Sequence, residues 1–513
     1  MLSKVLSGAT VGVSAYVVEV ETHLERALPG FDIVGLPDSA IRESRGRIIA
    51  AIRNSGFTFP PRKLTVNLAP ADIRKGGSAF DLPMAVGILA ASSQIPPQPC
   101  GSYVIIGELA LDGTLRPVHG ILSVAVEARR RKLGGLIVPA ANGREAAMVD
   151  GLDVFPMVSL REVAAFFIGT SPRRPSLRVN PADFMCDEQL PASDYAEVKG
   201  QEAVKRALEV AAAGSHNIIM IGPPGSGKTM LAKRLSTILP PMTFDEALET
   251  TKIHSVAGVL PAGEALIRRR PFRSPHHTIS DAALVGGGLT PRAGEISLAH
   301  NGVLFLDELP EFARSVLEVL RQPLEERQVT INRTRGSVVF PASFMLVCAM
   351  NPCFCGNFTD PSKECTCTPL QIQKYMARIS GPLLDRIDLH IEVPAVKYKE
   401  LSSKAEGESS QKIRQRVVAA RDIQMGRFAG RKGMYCNADM QSGEIQTYCR
   451  LDTPGEDLLK MAMTKLGLSA RAYDRILKVG RTIADLAHSS EIRPEHISEA
   501  IQYRSLDRSL WQT

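Results

Sequence analysis

One octapeptide, Gly222-Pro223-Pro224-Gly225-Ser226-Gly227-Lys228-Thr229, carries more structural information than any other part of this 513-residue chain. It has the spacing G-x-x-x-x-G-K-[ST] of a phosphate-binding loop. The apolar run 218–221 before it predicts a short buried strand, and the apolar spacing after it predicts a helix that ends at Pro240-Pro241. Such a turn points backbone N–H groups and the positive end of a helix at a polyphosphate. The sequence therefore predicts an ATP site, with Lys228 on the outer phosphates and Thr229 on Mg²⁺.

An acidic pair follows a second apolar run. Residues 302–306 are continuously apolar and lead into Asp307 and Glu308, which is typical of a parallel strand buried on both faces. Ligands bind at the carboxyl ends of such strands. We expect Asp307 to hold Mg²⁺, directly or through water, and Glu308 to orient and deprotonate the attacking water. The alternative is a strand that ends in solvated acids, but beside a phosphate loop the pair favours ATP hydrolysis.

A third predicted strand, 344–350, ends in Asn351-Pro352. An amide at the tip of a strand next to the acidic one can help to position the attacking water. The alternative is a simple Asn-Pro turn.

Composition limits the class of protein. A chain of this length exceeds one hydrophobic core and predicts two to four domains. With 44% hydrophobic and 22% charged residues, it has the composition of a soluble globular protein. We expect no membrane span, no secretory signal and a cytoplasmic location, since apolar runs are short and the nine cysteines are mostly scattered. The net charge of +7 favours an anionic partner only weakly.

Patterns along the chain predict an α/β protein of several domains. Residues 1–168 alternate strand-like and helical patterns, and 169–189, rich in proline and glycine, predict a linker. The nucleotide domain with its parallel sheet is expected over 190–395, followed by a helical domain over 396–513.

Four cysteines stand close together as C-x-C…C-x-C, namely Cys353, Cys355, Cys365 and Cys367. Four thiolates so grouped can form a tetrahedral Zn²⁺ site with a structural role. The spacing within each pair is tighter than the usual C-x₂₋₄-C, and free or oxidation-sensitive thiols are the alternative.

The order of these motifs, followed by the segment 381–389 with Leu384-Asp385-Arg386-Ile387-Asp388, resembles AAA+ ATPases of the magnesium-chelatase and MCM-like branch. The resemblance implies that Arg386 is an arginine finger for the neighbouring subunit's ATP, with Arg378 as the alternative. It also implies that Arg471 is a second sensor of phosphate, although Ser469 and its neighbours could simply cap a helix.

Two basic segments lie where this branch carries insertions that contact its polymer substrate. They are 267–278, with four arginines, and 327–340, which predicts a β-hairpin with basic residues at its turn. Loops of this kind in a ring's pore would grip DNA phosphates without reading bases. Exposed basic loops without a ligand are the alternative.

The N-terminal block resembles the corresponding domain of the ComM/YifB family and, more distantly, the Lon protease domain with its ribosomal-S5-like fold. The similarity rests on residues 67–83 and 113–120. Ser78 lies where Lon-type proteases hold their nucleophile, but Leu122 stands where their lysine should be. Since a serine needs a base, and Lys75 would need a suitable geometry, we expect a non-catalytic binding or assembly module.

The resemblance to the ComM/YifB family covers essentially the whole chain. It implies an ATP-driven hexameric DNA helicase or translocase that promotes branch migration in homologous recombination and natural transformation, with a C-terminal helical lid. The alternative is a chelatase-type AAA+ remodeller acting on a partner protein, disfavoured because a Lon-like block is foreign to such subunits. An ATP-dependent protease is disfavoured by Leu122.

Overall fold

The computed structural model describes residues 1–71, 75–170, 176–178, 193–261, 263–288, 291–333, 336–358, 360, 363–395, 407–431 and 433–504. The chain forms two compact units. The N-terminal unit comprises Met1–Asp187, Phe244–Arg268 and Asn332–Phe340. The P-loop unit comprises Glu188–Thr243, Arg269–Ile331 and Pro341–Thr513. Most of the predicted linker 169–189 lies outside the described residues.

The N-terminal unit is built on a mixed seven-stranded sheet in the order β3-β4-β2-β1-β5-β8-β9. The strands of this unit are β1 (Leu2–Val11), β2 (Ser14–Glu25), β3 (Gly30–Val34), β4 (Lys63–Ala69), β5 (Tyr103–Ile105), β6 (Glu108–Leu109), β7 (Leu115–Arg116), β8 (Gly135–Pro139) and β9 (Val154–Met157). β1 pairs antiparallel with β2 and parallel with β5. The long β1–β2 pairing therefore forms the centre of the sheet.

Helices complete this unit, and one of them comes from far along the chain. Its helices are Ser39–Asn54, Asp81–Ala91, Ile121–Arg130, Gly143–Ala146, Leu160–Ile168 and Phe244–Ala257. Every residue of Asp81–Ala91 is buried, so this helix is the centre of the core. Phe244–Ala257 contacts Ile121–Arg130, although the two are more than 100 residues apart in the chain.

The P-loop unit contains a five-stranded sheet in which every pairing between neighbours is parallel. The strands from residue 218 onward are β10 (Ile218–Ile221), β11 (Phe272–Arg273), β12 (Gly286–Gly287), β13 (Arg292–Ala293), β14 (Val303–Leu306), β15 (Gln328–Arg333), β16 (Gly336–Pro341), β17 (Met345–Met350) and β18 (Leu389–Glu392). The sheet order is β11-β14-β17-β10-β18, and β12–β13 and β15–β16 form separate two-stranded sheets. All residues of β10, β14 and β17 are buried, as continuous apolar runs predict.

Helices make up most of the C-terminal part of this unit. The helices of the unit are Glu202–Gly214, Lys228–Ile238, Asp281–Val285, Glu295–Leu298, Arg314–Glu318, Arg321–Glu326, Pro369–Met376, Gly381–Leu384, Ser410–Arg427, Ser442–Tyr448, Thr453–Leu466, Ala470–Leu486 and Pro494–Gln502. The structure thus confirms the predicted α/β class, the parallel sheet and the helical C-terminal region. Among the residues described, no helix combines the length and apolar character needed to cross a membrane.

Candidate active site

The phosphate loop leaves the carboxyl end of β10 and leads into the helix Lys228–Ile238. Gly225 and Gly227 have φ angles of 80° and 89°, in the left-handed region that glycine adopts without steric cost. A Cβ atom at Gly222 would lie 2.1 Å from the carbonyl oxygen of Val393, so the backbone approaches too closely for a side chain. The glycines therefore shape a tight turn whose N–H groups, at a helix N-terminus, suit an anionic phosphate.

Lys228 lies folded back over this loop. Its Nζ donates hydrogen bonds to the carbonyl oxygens of Gly222 at 2.7 Å and Pro223 at 2.9 Å, and to Asn351 Oδ1 at 3.2 Å. Burial lowers the pKa of Lys228 to about 8, and the Asp307 carboxylate only partly opposes this effect. The ammonium group is thus held inside the loop, where the outer phosphates of a nucleotide would bind.

Sheet register brings the predicted residues together. β10 and β17 pair so that Ile221 is opposite Met350, and the N–H of Gly222 donates to the carbonyl of Met350 at 3.2 Å. Asn351 follows immediately and reaches Lys228. Because β14 pairs with β17 in the same direction, the acids that follow β14 emerge at the same edge of the sheet.

The two residues predicted to hold Mg²⁺ contact each other. Thr229 Oγ1 donates a hydrogen bond of 2.6 Å to Asp307 Oδ2. A hydroxyl and a carboxylate are oxygen donors of the kind that Mg²⁺ prefers, and Mg²⁺ usually binds one or two such groups together with substrate phosphates. The donor set therefore fits a magnesium ion beside the phosphate loop.

Glu308 stands at the start of a 3₁₀ turn, Leu309–Glu311, with φ 52° and ψ 48°. A left-handed conformation is uncommon for a residue other than glycine and is often found at functional sites. The Glu308 N–H donates to Asp307 Oδ1 at 3.0 Å, and 59% of its side chain is exposed. Most of the Glu308 side chain is therefore exposed to solvent.

His277 is a neighbour of Glu308 that sequence spacing did not single out. Its Nδ1 lies 3.5 Å from Glu308 Oε2, and its ring stacks on His276 with 4.1 Å between centroids. His277 precedes β14 in the chain and is far from Glu308 in sequence. The two side chains come together only because the chain folds into the sheet. We therefore add His277 to the candidate site as a residue that positions the carboxylate.

The predicted arginine finger, Arg386, and the predicted phosphate sensor, Arg471, share one carboxylate. Arg386 is 4% exposed; its guanidinium pairs with Glu325 and donates to the carbonyl of Pro382. Arg471 is 57% exposed on its side chain, and its Nη2 lies 3.5 Å from the same Glu325. Burial lowers the pKa of Arg386, and Glu325 opposes that shift. Glu325 is thus a second residue of interest that the sequence patterns missed.

The alternative finger, Arg378, has different surroundings. Its Nη1 donates to the carbonyl of Pro310 and to Glu311, each at 3.1 Å. Its guanidinium also lies 5.2 Å from the centroid of the Phe354 ring. These contacts fasten Arg378 to the turn that follows the acidic pair.

The four clustered cysteines converge. All four Sγ atoms lie within 4.8 Å of one another, and three of the pairs, Cys353–Cys355, Cys355–Cys365 and Cys353–Cys365, are separated by 3.3, 3.6 and 3.8 Å. Tetrahedral Zn²⁺ with Zn–S bonds of about 2.3 Å needs sulfurs a little under 4 Å apart. Backbone hydrogen bonding lowers the pKa of Cys355 to about 5, whereas burial raises the pKa of Cys353 to about 12. The cluster is compatible with a zinc ion.

The basic segments make contacts within their units. Arg270 donates to the carbonyls of Pro240, Pro241 and Asn301 at 2.8 to 3.1 Å, and Arg273 pairs with Glu295 at 2.6 Å. In the pair β15–β16, residues 332–340 belong to the N-terminal unit, and residues 334–335 between the two strands lie outside the described residues. The first segment is thus partly anchored by its own arginines.

Ser78 in the N-terminal unit donates a hydrogen bond to the Glu108 carboxylate. Leu122 is fully buried, and its N–H donates to Glu145 Oε1 at 3.1 Å. Lys75 is also fully buried. The loss of a Lon-type dyad stays a prediction, based on Leu122.

Comparisons with known proteins identify the family to which this chain is similar. Residues 194–401 match the family model described as magnesium chelatase, subunit ChlI, and residues 407–504 match the model of its C-terminal part. Residues 20–142 match a model described as subunit ChlI of Mg-chelatase. That description weakens the expectation that the N-terminal block is foreign to chelatase subunits.

Individual relatives match over the full length. The uncharacterized protein YifB of Salmonella typhimurium is 44% identical over 510 residues, covering 99% of this chain and 98% of that protein. Competence protein ComM of Haemophilus influenzae is 44% identical over 513 residues, with the same coverage. Lon protease 2 of Bacillus subtilis is 28% identical over 159 residues, which cover 28% of this chain and 27% of that protein.

Proposed function

The chain belongs to the ComM/YifB family of magnesium-chelatase-like AAA+ ATPases, and from this we propose that it is an ATP-driven DNA motor that promotes branch migration. Family membership implies ATP and Mg²⁺ as cofactors and indicates ATPase activity. The observation that carries the proposal is the 2.6 Å contact between Thr229 and Asp307, with Glu308 next in the chain. This contact supports a site in which the phosphate loop, the proposed Mg²⁺ ligands and the candidate base lie at one edge of the sheet.

Each residue has a distinct part in the proposed hydrolysis. Thr229 and Asp307 would hold Mg²⁺, which supplies charge neutralisation at the phosphates undergoing transfer. Lys228 would exchange its carbonyl partners for the outer phosphates. Glu308 accepts a proton from the attacking water, and Asn351, already within reach of Lys228, helps to orient that water.

The proposal includes a hexameric ring in which Arg386 completes the neighbouring subunit's site. An arginine supplied in this way contributes roughly 10³- to 10⁵-fold to the rate. Since Arg386 is buried against Glu325, acting on a neighbour requires its guanidinium to leave that carboxylate when subunits assemble. Arg471, at the same carboxylate, would sense phosphate from within its own subunit.

Mixed rings test this arrangement. Neither Arg386→Ala nor Lys228→Ala protein should hydrolyse ATP alone, whereas an equal mixture should regain about a quarter of the active interfaces, because rings repeat one head-to-tail contact. Light scattering of each variant establishes that rings form, and energy transfer between differently labelled subunits in the mixture establishes that they exchange. Absence of recovery in rings shown to exchange would exclude Arg386 as the finger.

DNA as the polymer substrate is supported by the basic segments and by the name of the relative ComM, a competence protein. That name extends the proposal to natural transformation. ATP hydrolysis should rise when single-stranded or forked DNA is added, and this rise should weaken steeply with salt if phosphates are contacted. Indifference to every DNA tested, at low salt, would reject the motor.

A chelatase-type remodeller is the second candidate, favoured by the three matches to models described for magnesium chelatase subunit ChlI. Such a protein would hydrolyse ATP without stimulation by DNA. Its turnover should respond instead to the partner protein of a chelatase. Measuring ATP hydrolysis with DNA and with such a partner in parallel separates the two functions.

We also propose that Cys353, Cys355, Cys365 and Cys367 hold one structural Zn²⁺ per protomer. The convergence of the four sulfur atoms supports this. Elemental analysis of the purified protein should find zinc at a stoichiometry near one. A zinc content clearly below one per protomer, if it does not rise when Zn²⁺ is added, would contradict the proposal.

A further inference from the structure

We propose that Zn²⁺ bound by the cysteine cluster stabilises the nucleotide site, and we call this support the brace. The proposal rests on the ATPase and the zinc site proposed above. The brace acts through the cysteine turn, which we define as residues Cys353, Phe354, Cys355 and Gly356. This turn is connected to the candidate nucleotide site in three ways. Binding of Zn²⁺ by the cluster would fix the turn and, through it, the affinity for nucleotide.

The first connection runs along the chain. Cys353 is two residues after Asn351, whose side-chain oxygen accepts a hydrogen bond from Lys228 at 3.2 Å. Cys353 is fully buried, and its carbonyl accepts from the N–H of Gly356 at 3.1 Å. The position of the Cys353 sulfur and the position of the Asn351 amide therefore depend on the same short piece of backbone.

The second connection is a direct contact with the phosphate loop. Gly356 has a φ of 79°, and a Cβ atom built there would lie 2.5 Å from Cδ of Pro224. Its backbone thus packs against the proline ring, with no room for a side chain between them. A shift of the cysteine turn would push or release the phosphate loop at this point.

The third connection leads to the turn after the acidic pair. The Phe354 ring lies 4.8 Å from the Tyr375 ring and 5.2 Å from the Arg378 guanidinium, measured to ring centroids for both. Arg378 in turn donates to Pro310 and pairs with Glu311. The turn 309–311 directly follows Glu308, so the cysteine turn also supports the segment that carries the candidate base.

Geometry explains why the brace should need an ion. The four sulfur atoms lie within 4.8 Å of one another and are arranged as ligands of one ion, and a structural zinc site contributes folding free energy when filled. Loss of the ion would therefore loosen the cysteine turn. A misplacement of about 1 Å at a reacting site can cost on the order of 10²-fold.

The test uses full-length protein and measures zinc content, the Kd for a fluorescent ADP and ATP turnover. The double variant C365S/C367S alters the two ligands outside the cysteine turn. We expect its zinc content to fall to near zero and its Kd to rise by about tenfold, the scale of supporting-residue effects at metal sites. The matched control is Cys100→Ser, because Cys100 lies in the N-terminal unit with a sulfur–carbonyl contact to Pro96 that a hydroxyl can replace.

A second variant keeps the proposal testable if the double variant does not fold. Phe354→Leu removes the ring that contacts Tyr375 and Arg378 but leaves all four thiols. It should retain one zinc per protomer and still bind ADP several-fold more weakly. Removing zinc from the wild-type protein with a chelator should weaken ADP binding, and returning Zn²⁺ should restore it.

The outcomes separate this inference from the functions on which it rests. Zinc at full stoichiometry, with a Kd for ADP that does not change when the ion is removed, would overturn the brace and leave the zinc site and ATPase intact. A protein that never contains zinc would overturn both the site and the brace. Failure to bind nucleotide even when zinc is present would instead reject the proposed ATPase.

Discussion

Replacing Glu308 by glutamine removes the candidate base while changing little else. Glutamine has the same length and shape, and the Thr229–Asp307 contact does not involve the side chain of residue 308. General-base catalysis contributes about 10²- to 10⁴-fold, so the barrier should rise by about 2.7 to 5.4 kcal/mol at 1.36 kcal/mol per tenfold. Folding stability should change by less than about 0.5 kcal/mol, since this side chain is mostly exposed.

The assay is steady-state phosphate release at saturating ATP, with nucleotide affinity measured separately by fluorescence. Glu308→Gln should bind ATP as the wild type does and accumulate in its ATP-bound, assembled form. Glu311→Gln is the matched control, because it makes the same change three residues later, at a side chain that is 43% exposed and paired with Arg378. The control should keep at least about half of the turnover.

Two results would refute this reasoning. Glu308→Gln protein with nearly full turnover would place the water-activating base elsewhere. An equal loss in Glu311→Gln protein would show that the effect comes from the charge of the whole turn and not from one carboxylate at the pocket.

Nucleotide affinity should fall by about tenfold between pH 7 and pH 9, because Lys228 with a pKa of about 8 must be protonated to bind phosphate and loses that proton over this range. The nucleotide affinity that remains in Lys228→Arg protein should no longer depend on pH. A wild-type Kd that does not change over this range would contradict the role of Lys228 in binding phosphate. His277→Ala should lower turnover about three- to tenfold at unchanged Kd, whereas His276→Ala should have little effect; equal effects would mean that the stacked pair acts only structurally. Glu325→Gln should destabilise the protein by about 1–2 kcal/mol in chemical unfolding, because Arg386 stays buried without its charged partner; a change near zero would show that the pair is already screened by solvent.

Local sequence patterns correctly predicted strands and helices near the candidate nucleotide site. The predicted strand 218–221 is β10, and the predicted 344–350 corresponds to β17 at Met345–Met350. The helical domain predicted over 396–513 contains the helix Ala470–Leu486. These features depend on neighbours in the chain, so periodicity and the flanking turn residues are sufficient to find them.

Contacts between distant segments could not be predicted from local sequence patterns. The helix Phe244–Ala257 and residues 332–340 belong to the N-terminal unit, although they follow the phosphate loop in sequence. In that unit, Ser255 Oγ donates to Glu145 at 2.5 Å and accepts from the N–H of Gly120 at 3.0 Å. A single polar residue in a helix does not change the sequence periodicity, so the sequence does not reveal its distant partner. The contacts of His277 and Glu325 were missed for the same reason.

The most direct test of the DNA-motor account is a branch-migration assay on a three-stranded DNA junction with the purified full-length protein. Wild-type protein with ATP and Mg²⁺ should resolve the junction into its products, and Glu308→Gln protein should bind the junction without moving it. Active ATP hydrolysis with no movement of any junction would contradict the account, as would equal movement by Glu308→Gln protein.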